Sequence, residues 1–271
     1  MTENKMDFMF IIAAHHNNQN SQLVYPYCVK SIRKLYPNNL IVIVNDSEQS
    51  ILSDECIKNN LNDENIHVIH TEILGSGVAF TLNVFNKYIN YNYAVILQDS
   101  TELIKKLPPI NFDIKFFWSF SNHFKWDSTF FIKNGLKISH TQEIINLSQN
   151  LEESDFKKNF IELYNNKKLW RGCFGNMVVI SKQFLNLLNE KTKILNLTNF
   201  IKTRRDRMCI ESILALAVFY TKKINVKSES LYTLQGNWTN FCITNKITRS
   251  NMERSQGGAK GEYIIKFTYG R

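Results

Sequence analysis

The stretch FMFIIAA, residues 8–14, is apolar at every position and stops at the polar sequence HHNN, residues 15–18. Three further runs repeat this pattern, at residues 40–44 (LIVIV), 66–69 (IHVI) and 93–97 (YAVIL). Continuous apolar runs of this length are typical of strands that are covered on both faces. The four runs therefore predict buried strands of one sheet.

The segments between these runs favour helices, which we predict at residues 25–35, 48–60 and 77–88. A β-α-β-α-β-α-β order builds a parallel sheet through right-handed crossovers. The sequence thus predicts an α/β fold whose central, mostly parallel sheet is flanked by helices. Later in the chain we expect strands at residues 115–121, 177–180 and 263–268, and helices at 142–149, 155–164, 182–189 (with Ser181 as N-cap) and 205–220.

Size and composition favour one domain over residues 1–271. The chain is 44% hydrophobic and 13% aromatic, which is ample for a sizeable core, and no internal repeat or low-complexity linker divides it. Within this domain, residues 1–110 carry the regular β-α alternation, and residues 111–271 follow a different pattern. Residues 250–261 (SNMERSQGGAKG) are polar and glycine-rich, so we expect a mobile loop there.

Several classes of protein are disfavoured. No apolar run approaches the roughly 18 to 20 residues that span a bilayer, and the first seven residues do not resemble a secretory signal, so we expect a cytosolic protein. The five cysteines include no C-x-x-C pair, which favours reduced thiols. The net charge of +9 implies an acidic partner. Because the basic residues are thinly spread, that partner is expected to be a diphosphate and not a nucleic acid.

Polar residues follow each of the four predicted strands. In an open α/β sheet, ligands bind beyond the carboxyl ends of the strands. Asp46, after the second strand, is placed to accept hydrogen bonds from a base or from ribose hydroxyls. The alternative is that Asp46 and Ser47 cap the next helix.

The order of these motifs resembles the GT-A-fold glycosyltransferases, especially the inverting family related to cellulose and chitin synthases. Four segments carry the resemblance: residues 14–17 (AHHN) after the first strand, 45–47 (NDS) after the second, 75–83 (GSGVAFTLN) at a helix start, and 99–101 (DST) at the position of an Asp-x-Asp metal motif. The resemblance implies a Rossmann-like GT-A fold and a nucleotide-sugar donor, with UDP preferred. It implies that residues 1–110 are the nucleotide-binding half and residues 111–271 the acceptor half. It also implies eight donor-binding residues: Ala14, His15, Asp46, Gly75, Gly77, Asn83, Gln98 and Asp99.

The metal motif is where this chain departs from the family. A divalent cation, Mn²⁺ or Mg²⁺, prefers carboxylate ligands and would neutralise the departing diphosphate. Asp99 supplies one carboxylate, but Thr101 stands where the second acid is expected. Three possibilities remain open: Glu102 takes the place of the second acid, metal binding is weaker, or metal dependence has been lost. Asp99 as an ordinary turn residue is a further alternative.

Downstream, the resemblance implies an acceptor loop and then an acidic catalytic base near a helix start. Trp170, Arg171, Gly172 and Cys173 match the loop, with the indole stacking on a sugar. The alternative is a tight turn in which Trp170 fills the core. Asp206 is the preferred base and Glu211, more than one helical turn further on, the second candidate. Alternatively, Asp206 caps its helix and Glu211 pairs with a basic residue one turn earlier.

Basic residues of the tail, Arg249, Arg254 and Lys260, flank glycines and suit a lid over a diphosphate. The predicted function is transfer of a sugar from a UDP-sugar to a hydroxyl of a glycan, protein or small molecule, with an inverting mechanism favoured. A non-catalytic nucleotide-binding or assembly module is the main alternative, because the metal motif is incomplete. A nucleotidyltransferase is less favoured, because residues 15–20 are not a glycine-rich basic loop.

Overall fold

A computed structural model describes the chain over residues 7–14, 24–46, 63–71, 77–120, 130–133, 136–222, 259–260 and 263–266. The strands are β1 Phe8–Ala14, β2 Ile41–Asn45, β3 Ile66–His70, β4 Tyr93–Gln98, β5 Thr101–Leu103, β6 Ile114–Phe116, β7 Ser119–Phe120, β8 Phe130–Lys133, β9 Leu136–Ser139, β10 Gly172–Cys173, β11 Val178–Ser181, β12 Ala259–Lys260 and β13 Ile264–Lys266. The α-helices are α1 Val24–Leu35, α2 Gly77–Lys87, α3 His140–Ser148, α4 Asp155–Asn165, α5 Lys182–Thr192 and α6 Arg204–Lys222, and short 3-10 helices span Phe174–Asn176 and Ile194–Phe200.

The central sheet has six strands in the order β3-β2-β1-β4-β11-β6. The first four are parallel to one another, and β11 runs antiparallel to both β4 and β6. The predicted α/β fold with a mostly parallel sheet flanked by helices is therefore confirmed. Among these six strands, β11 alone reverses direction, and Ser181 at its end leads directly into α5.

Both faces of the sheet are covered at β1, β2 and β4, as their continuous apolar runs predict. The prediction of a buried strand is wrong for β3, which lies at the edge of the sheet and is only partly buried, with His67 exposed. Alternate side chains of β1 pack on opposite sides: Ile11 lies in a core with α2, α5 and α6, whereas Phe10 packs with α1. Tyr25 and Cys28 of α1 are fully buried on the second side. Burying a large apolar side chain stabilises a fold by about 1.5–3 kcal/mol, so these two layers fix the positions of the strand ends.

A second, three-stranded sheet lies just beyond the end of β4, in the order β12-β13-β5. The predicted last strand is present as β13, which pairs antiparallel with β5 and places Lys266 opposite Thr101. The C-terminal part of the chain thus returns to the carboxyl end of β4, where the candidate site lies.

Serine N-caps begin several helices. The Oγ atoms of Ser139, Ser154 and Ser181 each accept a hydrogen bond from the backbone N–H three residues later. The predicted cap at Ser181 is confirmed by a bond of 3.1 Å from Phe184. Such caps typically stabilise a helix by about 1 kcal/mol.

The aromatic strand predicted at residues 115–121 differs from the structure. It is divided into β6, which joins the central sheet beside β11, and β7, which pairs with β10. Phe117 and Trp118 lie at the break, and both are buried. The helix predicted at residues 48–60 lies outside the described residues. Among the helices that the structure describes, none has the length and apolar character needed to cross a membrane.

Candidate functional site

Two predicted site residues meet at the carboxyl end of β1, which is the topological switch point of the sheet. From β1 the chain first builds β2 and β3 on one side and then crosses to β4 on the other. The backbone N–H of Asp46, after β2, donates to Ala14 (3.1 Å), and that of Asp99, after β4, donates to Ala13 (2.9 Å). Ligands of open α/β sheets bind at such a point. The structure therefore brings Asp46 and Asp99 to the place expected from the sequence.

Asp46 joins the edge of the sheet to the start of α2. Its side chain is buried, and Oδ2 accepts a 2.8 Å hydrogen bond from the backbone N–H of Gly77. A Cβ atom at Gly77 would lie 3.1 Å from this oxygen, so the absence of a side chain permits the close approach. A carboxylate at a helix N-terminus is also favoured by the helix dipole. Asp46 therefore caps α2. The predicted cap of the segment directly after Asp46 lies outside the described residues.

Gly175 connects β4 to α6. It has φ of 62°, and a Cβ atom there would lie 2.5 Å from Nε2 of Gln98, so only glycine fits without rearrangement. Its carbonyl accepts a long hydrogen bond (3.5 Å) from Gln98. Its backbone N–H donates to the carboxylate of Glu211. Through this turn, Glu211 is held beside the end of β4.

The pKa of Glu211 is raised from 4.5 to about 7. Burial is the main cause, while the Gly175 N–H and the charges of Arg207 and Lys266 oppose it. Arg207 lies one helical turn earlier and is itself buried. A carboxylate with a pKa near neutrality is half protonated at cellular pH, which is the condition that suits a general acid or base.

Lys266 brings a positive charge to the same place from the C-terminal strand. The side chain is 5% exposed, and its ammonium donates a hydrogen bond to the hydroxyl of Ser100. Its charge acts to lower the pKa of Glu211 and that of Cys28. Sequence analysis did not identify Lys266. The available signal was a charged residue within a short apolar strand, which is rare unless the charge is paired.

The side chain of Thr101 is directed into the protein. Its Oγ1 donates to the carbonyl of Gln98 (2.6 Å) and lies 3.5 Å from Sγ of Cys28. Burial is the largest cause that raises the pKa of the Cys28 thiol to about 12, so this sulfur is protonated at neutral pH and is a poor metal ligand.

These contacts do not fit a divalent cation bound by Asp99 and Thr101. Asp99 offers one carboxylate, and the ammonium of Lys266 beside Ser100 would repel a cation there. Glu102, the other acid considered, follows Thr101 in β5 and therefore faces the opposite side of that strand. Within residues 98–102, Asp99 is thus the remaining carboxylate for this role.

Asp206 occupies a capping box at the start of α6. Its Oδ2 accepts from the N–H of Lys202 (3.0 Å) and of Thr203 (2.9 Å), while its own N–H donates to Oγ1 of Thr203 (3.2 Å). This reciprocal arrangement satisfies orphan N–H groups of the first turn. Asp206 also lines a groove of about 350 Å³ between α3 and the start of α6. The structure therefore does not bring Asp206 to the contacts made by Glu211.

The predicted acceptor loop is part of the core. Trp170 is 1% exposed, its Nε1 donates to the carbonyl of Leu163 (3.1 Å), and its ring lies 5.6 Å from that of Tyr164. Its indole face is therefore covered, which is the alternative considered from the sequence. After Arg171, Gly172 and Cys173 form β10, and burial followed by the charge of Glu211 raises the pKa of Cys173 well above its usual value.

Asn83 joins α2 to the 3-10 helix Ile194–Phe200. Its Nδ2 donates to Oγ1 of Thr198 (2.6 Å) and to the carbonyl of Leu195 (3.2 Å), so it has a structural partner away from the sheet edge. The remaining predicted residues, His15, Gly75, Arg249 and Arg254, lie outside the described residues; for Lys260 the structure describes only the backbone, in β12.

Asn176 follows Gly175 in the turn beside Glu211. Its side chain is 1% exposed, and no described residue hydrogen-bonds to either amide atom. It also has a positive φ of 52°. A buried amide without a partner costs about 1–3 kcal/mol, so this turn retains hydrogen-bonding capacity at a stability cost.

A group of three side chains able to hold a metal ion lies elsewhere. Ligand atoms of His140, Glu143 and Cys209 all lie within 4.8 Å of one another, and the three residues are buried. His140 and Glu143 belong to the first turn of α3, and Cys209 belongs to α6. This group lies between two helices, apart from Asp99 and Thr101.

No protein-family model matches the chain, and no curated protein matches its sequence. The geometry of the sheet edge is therefore the basis for a functional proposal.

Proposed function

We propose that the chain is a GT-A-type glycosyltransferase that moves a sugar from a nucleotide diphosphate sugar, UDP-linked by preference, to a hydroxyl acceptor with inversion. The observation that carries the proposal is the convergence of acidic and basic side chains at the switch point of the sheet. Asp46 and Asp99 flank the end of β1, and Glu211 and Lys266 adjoin the end of β4. The order of the parallel strands supports a Rossmann-like donor site at this edge.

In this proposal the donor lies across the ends of β1, β2 and β4. Asp46 and Asp99 accept hydrogen bonds from the ribose and base, since a carboxylate pairs with hydroxyl and N–H donors. Lys266 and Arg207 oppose the negative charge that develops on the departing diphosphate. Charge stabilisation of this kind is often the largest contribution to catalysis in a buried site.

We assign the role of catalytic base to Glu211, in preference to Asp206. The raised pKa of Glu211, about 7, makes it a stronger base than an ordinary carboxylate and leaves much of it ionised at neutral pH. Asp206 already accepts two backbone hydrogen bonds in its capping box. In the proposed step, Glu211 removes the proton of the acceptor hydroxyl as its oxygen attacks the anomeric carbon. The bond from that carbon to the diphosphate breaks, and the diphosphate leaves with the electron pair.

The proposed transfer does not use a cation at Asp99 and Thr101. Lys266 supplies positive charge where the resembled family places its metal, so we expect donor cleavage without added Mn²⁺ or Mg²⁺. The buried amide of Asn176 offers hydrogen bonds to a sugar hydroxyl in the neighbourhood of Glu211. The lid formed by the tail residues Arg249, Arg254 and Lys260 stays a prediction.

A non-catalytic nucleotide-binding or assembly module is the second candidate. It is favoured by the internal hydrogen bond of Thr101, which removes this residue from the role of a metal ligand. Such a module would bind nucleotide at the same edge but would not cleave a donor.

Thermal unfolding with a panel of nucleotides and nucleotide sugars tests the donor site. A ligand at about 100 times its Kd should stabilise the chain by about 2.7 kcal/mol. Release of UDP from a UDP-sugar, with water as the acceptor, then tests catalysis without knowledge of the natural acceptor. We expect UDP release from the wild-type chain in the absence of Mn²⁺ and Mg²⁺.

The matched variants are Glu211→Gln and Asp206→Asn. We expect Glu211→Gln to bind UDP like the wild type and to lose UDP release by about 10²–10⁴-fold, which is the usual contribution of a general base. Asp206→Asn should retain release. Binding without release in the wild type would favour the non-catalytic module. If no nucleotide raises the unfolding temperature, the donor site itself is refuted.

A further inference from the structure

The group formed by His140, Glu143 and Cys209 lies away from the sheet edge, in the core between α3 and α6. The three side chains are 4%, 6% and 0% exposed, respectively. Polar and ionisable groups are seldom buried to this degree unless they are paired or bind a metal. These three residues take no part in the proposed sugar transfer.

The local sequence places all three ligands together. Ser139 caps α3 by accepting a bond from the N–H of Gln142, so His140 and Glu143 begin the helix three positions apart. Residues at this spacing lie on the same face of a helix. Helix α6 packs against that face and contributes Cys209.

The donor set identifies the class of metal. An imidazole nitrogen, a carboxylate oxygen and a thiolate sulfur suit Zn²⁺, whereas Mg²⁺ and Ca²⁺ prefer oxygen ligands alone. With neutral His140 and ionised Glu143 and Cys209, a Zn²⁺ ion gives a site with no net charge. Such a site avoids the large penalty of burying an isolated ion.

The separations are close to those of a zinc site. With Zn–N and Zn–O near 2.1 Å and Zn–S near 2.3 Å, tetrahedral ligand atoms lie about 3.4–3.6 Å apart. The three ligand atoms here lie within 4.8 Å of one another, a difference that side-chain rotation can close.

We propose that His140, Glu143 and Cys209 bind one Zn²⁺ ion that joins α3 to α6. The three ligands leave a fourth position of the tetrahedron. Glu143 also lines the groove of about 350 Å³ that Asp206 borders, so the proposed site lies beside this groove. The zinc site is separate from the sheet edge and does not depend on the proposed sugar transfer.

The first experiment uses the untagged wild-type chain, since a histidine tag would bind metal itself. Metal analysis of the purified protein should find one zinc per chain. After removal of zinc with a chelator, titration with Co²⁺ should saturate at one equivalent and produce a thiolate-to-cobalt charge-transfer band in the near ultraviolet. Zinc should displace the cobalt and raise the melting temperature. Absence of both zinc and a saturable cobalt band in the wild type overturns the proposal.

Three near-isosteric variants then test the ligands: His140→Gln, Glu143→Gln and Cys209→Ser. Loss of a residue that only hydrogen-bonds to a metal ligand typically lowers metal affinity by about 10–100-fold. Each of these variants removes a ligand itself and should therefore lower zinc affinity by more than that. Cys28→Ser is the matched control, because Cys28 is also fully buried but lies in the core on the other face of the sheet. The control should keep one zinc per chain.

The cobalt spectrum separates the outcomes. Glu143→Gln should keep a charge-transfer band at higher cobalt concentration, whereas Cys209→Ser should lose the band even where it still binds cobalt. Zinc retained with wild-type affinity in all three variants refutes the assignment, and so does an unchanged band in Cys209→Ser. If a variant does not fold, by circular dichroism, the wild-type titration still decides the proposal.

Discussion

Replacement of Glu211 by glutamine should stabilise the chain at alkaline pH and leave its stability nearly unchanged at acid pH. Burial raises the pKa of this carboxyl from 4.5 to about 7, against the opposing effects of Gly175, Arg207 and Lys266. A folded state that raises the pKa of an acid binds the proton more tightly than the unfolded chain does. The stability contributed by this proton is therefore complete below pH 4.5 and is lost as pH rises through 7.

The magnitude follows from the size of the shift. Each tenfold change in proton affinity corresponds to 1.36 kcal/mol, so a rise from 4.5 to about 7 represents about 3 kcal/mol. Glutamine resembles the protonated acid and keeps a carbonyl oxygen for the N–H of Gly175. We therefore expect Glu211→Gln to be more stable than the wild type by up to about 3 kcal/mol at pH 8 and by little at pH 4.5.

Urea unfolding at a series of pH values measures this difference. Groups that titrate alike in both proteins cancel when the variant is compared with the wild type at each pH. Glu162→Gln is the matched control, because Glu162 is an exposed carboxylate on α4 and its replacement should give a small, flat difference. A difference for Glu211→Gln that does not change with pH, or that is larger at acid pH, refutes the argument that burial sets the protonation of this residue.

Three further predictions use neighbouring contacts. Lys266→Met removes a charge that lowers the pKa of Glu211, so this pKa should rise. When Glu211→Gln is made in the Lys266→Met chain, the change in stability that it causes should therefore have its pH midpoint at higher pH than in the wild-type chain. Asp206→Ala breaks the capping box and should cost about 1 kcal/mol in urea unfolding, with nucleotide binding unchanged. Gly175→Ala introduces a side chain at positive φ against Gln98 and should lower the free energy of unfolding by about 1–3 kcal/mol. Replacing Gln98 by Ala in the same chain should recover part of this loss. No recovery would show that the backbone conformation alone is responsible.

The strands β1 to β4 and the helices α1 and α2 could be predicted because their patterns are local. In β1 every residue is apolar, since helices cover both faces of a parallel sheet. The start of α2 was placed at Gly77, where glycine permits the approach of Asp46. The positions of Asp46 and Asp99 beside β1 then follow from the order of the strands, because both neighbours of β1 end at one edge.

The other half of the site depends on contacts between distant parts of the chain. Lys266 reaches Ser100 across 166 positions, through a pairing of β13 with β5 that no local pattern specifies. The choice between Asp206 and Glu211 also depends on contacts that the local sequence does not specify. A position near a helix start suits both a catalytic acid and a helix cap, and only the packing of α6 against Gly175 shows which carboxylate faces the sheet.

In the proposed reaction, Lys266 couples donor binding to the strength of the base. Its positive charge lowers the pKa of Glu211, and it acts across a buried region where charges are weakly screened. A diphosphate placed against this ammonium would offset that charge, so the pKa of Glu211 would rise on donor binding. Glu211 is then the stronger base while the diphosphate is present, and its basicity declines once UDP departs. A mobile divalent cation could not provide this coupling in the same way, because it would enter and leave with the nucleotide, whereas the lysine is held by β13 beside the carboxylate.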